Sequence, residues 1–228
     1  MTRTRRNAVV VAAVATLAAA ATGCLPAAGA TTTGTSTSTA TSSQGSRSSS
    51  CPAAFPTPVP AAPADPTAAL AELPVREEDS GAHYDRHDWL PRWESQGHGR
   101  TTRTVVLARD RCTSGGWVSP YDGVQITVSS RVDIDHVVPL GEAARSGTRW
   151  WSTSQRHAFA NYTANLRSVS AHANRSKGDD DPARWRPGQR AVWCAYATQY
   201  IDVKAHFALT VDPAEQAALR SMLSTCHR

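Results

Sequence analysis

Apolar residues fall at helical spacing over residues 189–209, where Val192, Trp193, Tyr196, Tyr200, Val203 and Phe207 form one stripe, predicting an amphipathic helix. Asp212-Pro213 opens a second helix that runs through Ala217, Leu219 and Leu223 to Cys226. Upstream the apolar runs are short and rich in β-branched residues. Residues 104–108 (TVVLA) and 124–128 (VQITV) predict strands, with turns at Gly115-Gly116 and Asp122-Gly123. A third strand is predicted over residues 132–138, ended by Pro139, followed by one or two helical turns in LGEAARSG. Residues 154–161 read as helix and 166–169 as a brief strand. A short helix follows, capped by Ser170 and stopped by Gly178.

The first 66 residues have a different texture. Arg3, Arg5 and Arg6 precede a small-apolar run from Ala8 to Ala21, interrupted by Thr16 alone. A basic start, a run of that length and a small-residue end predict an export signal over residues 1–23; a membrane span needs about 20 apolar residues. Cys24 follows Thr22-Gly23 and resembles a lipoprotein cleavage position, so the mature chain is expected to be either lipid-anchored at Cys24 or released after cleavage near residues 27–30. Residues 24–66 are dominated by Thr, Ser, Ala and Pro. They cannot bury enough apolar surface to offset chain entropy, so a tether is expected there and a folded domain over residues 67–228.

Charge narrows little by itself. The chain of 228 residues carries net +5, but removing residues 1–23 leaves 21 basic against 19 acidic residues. The excess concentrates between Arg131 and Arg190, with 10 basic and 6 acidic residues. Export permits disulfides. Antiparallel packing of the two C-terminal helices brings the start of one to the end of the other, which predicts a Cys194–Cys226 bridge; Cys51 is left to Cys112 only by elimination. Trp150, Trp151 and Trp193 are expected in the core.

The chemistry gathers in VDIDHVVPL, residues 132–140. Strand alternation places Asp133 and Asp135 on one face and Ile134 and His136 on the other, so a twist or bulge is needed for Asp135 and His136 to serve one site. On the short helix Asn174 and Lys177 share a face, while His172 diverges from Asn174. Asp133 is open between metal ligation and a structural hydrogen bond. Asp179, Asp180 and Asp181 form a solvated turn that could also offer carboxylates to a second ion.

DIDHVVPL, Asn165 in ANLRSV and NRSKGDD from Asn174 together resemble the HNH (ββα-metal) endonucleases. The likeness is closest to the DUF1524 group of secreted actinobacterial proteins and to the C-terminal domain of GmrSD-type modification-dependent restriction enzymes. The resemblance implies an α+β fold with a ββα-metal nuclease core, to which the patterns above add N-terminal strands and a C-terminal helical pair. It implies Asp135 and Asn174 as metal ligands, His136 as general base and Asn165 as a brace for the loop holding His136. Oxygen ligands suit Mg²⁺ or Mn²⁺. Lys177 is expected to neutralise phosphate charge, and Arg131, Arg167, Arg175, Arg184 and Arg186 to grip a nucleic-acid backbone, DNA foremost, without reading sequence. No obligate protein partner is evident, and contact with a membrane would run only through Cys24. Two departures from the family pattern stand out. Arg100 replaces a cysteine that relatives carry before the Thr-Arg pair, and Val105 replaces a Glu. Two other classes stay open: a surface module that binds extracellular DNA or an envelope polymer without cutting it, and a wall-peptide amidase, for which the sequence offers neither a His-x-x-x-His pair nor an activated Cys.

Overall fold

The computed structural model describes Cys51 and residues 65–226. The expected signal segment, Cys24 and the tether other than Cys51 lie outside the described residues up to residue 64. The folded part is a mixed α and β structure with two small sheets and several helices.

Three N-terminal helices come first, each started by a side-chain cap. In α1 (Pro66–Glu72) Asp65 accepts from the Thr67 amide and Pro66 presets the first turn. Asp85 caps α2 (Arg86–Trp89). The third, α3 (Thr102–Arg109), occupies the stretch expected to be a strand, so the N-terminal strand over residues 104–108 is corrected. Thr101 and Thr104 form a reciprocal capping box, with Oγ1 of Thr104 accepting from the Thr101 amide at 2.8 Å. Capping the first turn on this scale stabilises a helix by about 1 kcal/mol, more than the small penalty on a few β-branched residues.

The two-residue strands β1 (Trp117–Val118) and β2 (Gln125–Ile126) pair antiparallel. The strand expected over residues 124–128 shrinks to these two residues in β2, and Val124 and Val128 stay exposed with no further strand beside them. Gly116 makes the close approach possible: at φ +74° a Cβ there would lie 2.7 Å from the Ile126 carbonyl oxygen.

The second sheet positions the site. β3 (Val132–His136) pairs antiparallel with β4 (Leu166–Ser170), with Asp135 opposite Arg167 and His136 opposite Leu166. Between them lie α4 (Leu140–Arg145) and α5 (Thr153–Ala160). After β4 comes α6 (Ala171–Lys177), begun by Ser170, whose Oγ accepts from the Ala173 amide at 3.1 Å, and ended at Gly178 with φ +56°. The expected strand over residues 132–138 stops two residues early, because the amide and carbonyl of Val138 are taken by the Asn165 side chain.

One 3₁₀ turn leads into α7 (Trp193–His206), and α8 (Pro213–Leu223) starts from an Asp212–Glu215 capping box. The Cys194–Cys226 bridge joins their ends with Cα atoms 4.9 Å apart, as antiparallel packing requires. Cys51 and Cys112 form a second bridge, the pairing that elimination left. The larger core joins α1, α4, α5, α7 and α8, and a smaller one gathers Val106, Trp117, Ile126, Val132, Ile134 and Leu166. The β3–β4 sheet lies between them, so β4 is buried at all five positions. Trp151 and Trp193 pack against the larger core, but Trp150 is 89% exposed, contrary to expectation, because its neighbour Trp151 takes the inward direction.

Two buried ionisable groups matter for stability. Lys204 on α7 is fully buried and donates to Glu142 on α4 at 2.8 Å, Glu215 on α8 at 2.7 Å and the Thr210 carbonyl at 2.8 Å. Asp202, two residues earlier on the same helix, has Oδ1 without a hydrogen-bond partner among the described residues, and burial lifts its pKa to about 6. An acid raised from its ordinary value of 3.8 favours the folded state below that value, and the benefit is lost as pH rises through 6. Asp202→Asn is therefore expected to gain on the wild type by about 1–2 kcal/mol between pH 4 and pH 7. Urea midpoints at the two pH values test this; parallel curves for the two proteins would refute it.

Candidate functional site

The C-terminal end of β3, the start of α4 and one side of α6 border a cleft of about 460 Å³ lined by Asp135, His136 and Asn174, with Tyr84 and Arg86 on its other wall. Asp135 and His136 alternate along β3, yet both reach this cleft because strand pairing ends at His136.

Asp135 is almost fully buried and held by two donors. The Tyr121 hydroxyl donates to Oδ2 at 2.6 Å, and Nζ of Lys177 donates to Oδ1 at 3.0 Å. Burial pushes the Asp135 carboxyl up and the Lys177 ammonium down, and their mutual attraction opposes both shifts. The ion pair keeps a negative oxygen at the cleft wall. Lys177 also donates to the His136 carbonyl at 2.7 Å and is only 1% exposed. It does not line the cleft, so the expectation that it meets phosphate directly is corrected. Its ammonium is spent beneath Asp135, because a buried carboxylate costs too much unpaired.

His136 is oriented from behind. Its Nε2 lies 2.8 Å from the Ala160 carbonyl oxygen, which can only accept, so Nε2 carries the proton and Nδ1 keeps the lone pair. Trp93 stacks parallel to the ring at 6.1 Å between centroids, and burial pulls the imidazole pKa down to about 3. The group is thus a neutral imidazole with a free acceptor nitrogen. Asn165 holds the turn just beyond: Oδ1 accepts from the Val138 amide at 2.8 Å and Nδ2 donates to the Val138 carbonyl at 3.0 Å.

Asn174 donates through Nδ2 to Oδ2 of Asp133 at 3.0 Å. A carboxylate only accepts, so the amide nitrogen must face Asp133, and the carbonyl oxygen has no hydrogen-bond partner among the described residues. Asp133, left open by the sequence, thus orients Asn174. One buried carboxylate and one unengaged amide oxygen on a shared cleft fit a hard divalent cation that keeps several waters.

The sequence model of a family described as "GmrSD restriction endonucleases, C-terminal domain" matches residues 93–222, which include β3, β4 and α6. The chain belongs to this family. A relative from Arthroderma benhamiae, named an uncharacterized secreted protein, is 43% identical over 190 residues, covering 76% of this chain and 93% of its own. No solved structure matches.

The arginines of this GmrSD C-terminal domain divide. Arg131 and Arg175 are exposed. Arg184 is exposed too, but leans on Glu78 at 3.6 Å and Asp181 at 3.9 Å. Arg167 is 2% exposed, with Nη1 on the Leu166 carbonyl and Nη2 on the Gln199 side chain, so its assignment to substrate is corrected. The cause is the position of β4 between two cores, which leaves its side chains no path to solvent. Arg186 is held by the Pro182 carbonyl at 2.9 Å and lies over the Trp193 ring.

The carboxylates near the family motif are largely spoken for. Asp179 accepts from Arg145 at 2.7 Å. Glu78, Asp181 and Asp212 bring oxygens within 4.8 Å of one another, but Arg145 lies 3.2 Å from Glu78 and Arg184 closes the other side. Residues missed by sequence reasoning are Tyr84, Arg86, Trp93 and Tyr121.

Proposed function

We propose that this protein is a secreted, metal-dependent HNH endonuclease that hydrolyses DNA phosphodiesters with little sequence specificity. The β3–β4–α6 unit would be its ββα-metal core. The observation that carries this reading is the meeting of Asp135, Asn174 and His136 on one cleft, with the imidazole held so that its acceptor nitrogen is free. Family membership and the secreted relative support it.

Asp135 and the Asn174 carbonyl oxygen would hold one Mg²⁺ or Mn²⁺. When bound, the cation would supply positive charge for the phosphate and for the departing 3′-oxygen. Nδ1 of His136 would take a proton from water as that water attacks phosphorus. The bond to the 3′-oxygen breaks, and that oxygen takes a proton from solvent, leaving a 5′-phosphate and a 3′-hydroxyl. Exposed Arg131, Arg175 and Arg184 would meet backbone phosphates without reading bases. The mature chain would be anchored at Cys24 or released; both suit an extracellular nuclease.

The test is incubation of purified protein with supercoiled plasmid and Mg²⁺ or Mn²⁺, beside a sample with EDTA. Cleavage that needs metal and leaves 5′-phosphate ends is expected. Retention of DNA without scission under every metal condition would replace this reading with the binding module.

A further inference from the structure

Arg86 stands on the cleft wall, outside the residues matched by the family model. Its helix is short but firmly seated. Asp85 caps α2 by accepting from the His87 amide at 2.8 Å, and the Leu90 amide bonds the Arg86 carbonyl at 2.8 Å. One turn after Arg86, Trp89 is buried against Phe159 at 5.7 Å and Trp151 at 5.8 Å between ring centroids. The guanidinium thus projects from a backbone anchored in the core, although the side chain itself is exposed.

The charges around it leave it available. Arg145 is held by Asp179 and Glu142, Arg149 by Asp79 and Arg109 by Asp110. Arg86 forms no ion pair among the described residues. The two carboxylates that share its cleft are already answered, Asp135 by Lys177 and Asp179 by Arg145. What remains in the cleft shared with Asn174 and His136 is one uncompensated guanidinium, with Tyr84 beside it.

We propose that Arg86 binds the non-bridging oxygens of the phosphate at the cleavage position, opposite the Asp135–Asn174 pair, and so acts directly on substrate. This rests on the nuclease reading above. A planar guanidinium offers paired N–H donors that match two phosphate oxygens, and it gains most where charge builds on those oxygens.

Two measurements on the full chain, with Arg86→Ala and Arg86→Lys, separate this inference from the reading it rests on. The first is affinity for a duplex oligonucleotide in EDTA across a salt series. Loss of one phosphate contact should flatten the slope of log K against log salt by about 0.9 in the alanine protein, and lysine should keep most of the slope. The second is the single-turnover rate with Mg²⁺, expected to fall by about 10²-fold for alanine and to recover only partly with lysine, which cannot reproduce the fork. Thermal melting should be unchanged, since the side chain is exposed. An unaltered salt slope would overturn the assignment of Arg86, as would an alanine protein cutting at the wild-type rate. A wild-type protein that binds DNA but never cuts would end the nuclease reading, while the salt slope would still decide whether Arg86 meets phosphate.

Discussion

His136→Ala should cut plasmid DNA about 10³-fold more slowly than the wild type under single-turnover conditions, while Mn²⁺ affinity and DNA affinity stay close to normal. The expectation follows from the division of labour in the cleft. The oxygens that would hold the cation belong to Asp135 and Asn174, and each is positioned by other groups, Asp135 by Tyr121 and Lys177 and Asn174 by Asp133. Removing the neutral imidazole leaves those supports in place. Its own anchor, the Ala160 carbonyl at 2.8 Å, is lost, but Lys177 bonds the carbonyl of residue 136, which survives the substitution. The chain path should therefore hold. Mn²⁺ titration, anisotropy with duplex DNA and quenched-flow cleavage would be measured on the same preparation. Cleavage within a few-fold of wild type would show that another group takes the proton. A parallel loss of Mn²⁺ affinity would show that residue 136 acts through the metal site.

The largest loss of stability is expected at Lys204. Its ammonium bridges Glu142 and Glu215 in the contact between α4, α7 and α8, and all three side chains are buried. Burial works against the Lys204 charge, but Glu215 and Glu142 hold its pKa above the ordinary 10.5. Lys204→Met would leave the Glu215 carboxylate in the core without its cation, while Glu142 keeps Arg145 at 3.1 Å, a change that costs about 3–5 kcal/mol. Domains of this size have about 5–15 kcal/mol in total. The loss should depend on pH in a definite direction. Burial already lifts Glu215 to about 7, from an ordinary value of 4.5. A raised acid favours folding below its unfolded value and ceases to do so as pH rises through its folded value. Without the lysine Glu215 should shift further up, so the variant should suffer less at pH 5 than at pH 8. Adding Glu215→Gln should restore part of the stability by removing the stranded charge. Urea unfolding at both pH values checks each step, and a loss below about 1 kcal/mol at pH 8 would contradict the account.

α4 begins four residues after His136, so this network also steadies one border of the cleft. Lys204→Met is thus expected to weaken cleavage only where the domain begins to unfold, unlike His136→Ala, which leaves the fold intact.

Local signals made much of the site legible. The short helix carrying Asn174 is written in Ser170 and Gly178, a cap and a stop that act within a single turn. β3 and β4 are brief runs of strand-forming residues, and the pair of C-terminal helices is visible as a stripe and a capping box. Residues 104–108 misled because β-branched content is a weak preference, and the Thr101–Thr104 cap outweighed it. The strand's end was misplaced for a different reason: Asn165, distant in sequence, occupies the Val138 backbone groups.

The sequence by itself determined the order of strand, strand and short helix around Asp135 and Asn174, the pair of C-terminal helices, and which helix ends a disulfide could join. Each depends on residue type or on spacing within a turn or a strand. Only the tertiary structure decided where the long cationic side chains go. Lys177 and Arg167 could have reached solvent, but both turn inward, one to a buried carboxylate and the other between two cores. Arg86, with no motif around it, was brought to the cleft by the seating of Trp89. A flexible charged side chain goes where its partner lies, and that partner is set by packing between segments dozens of residues apart.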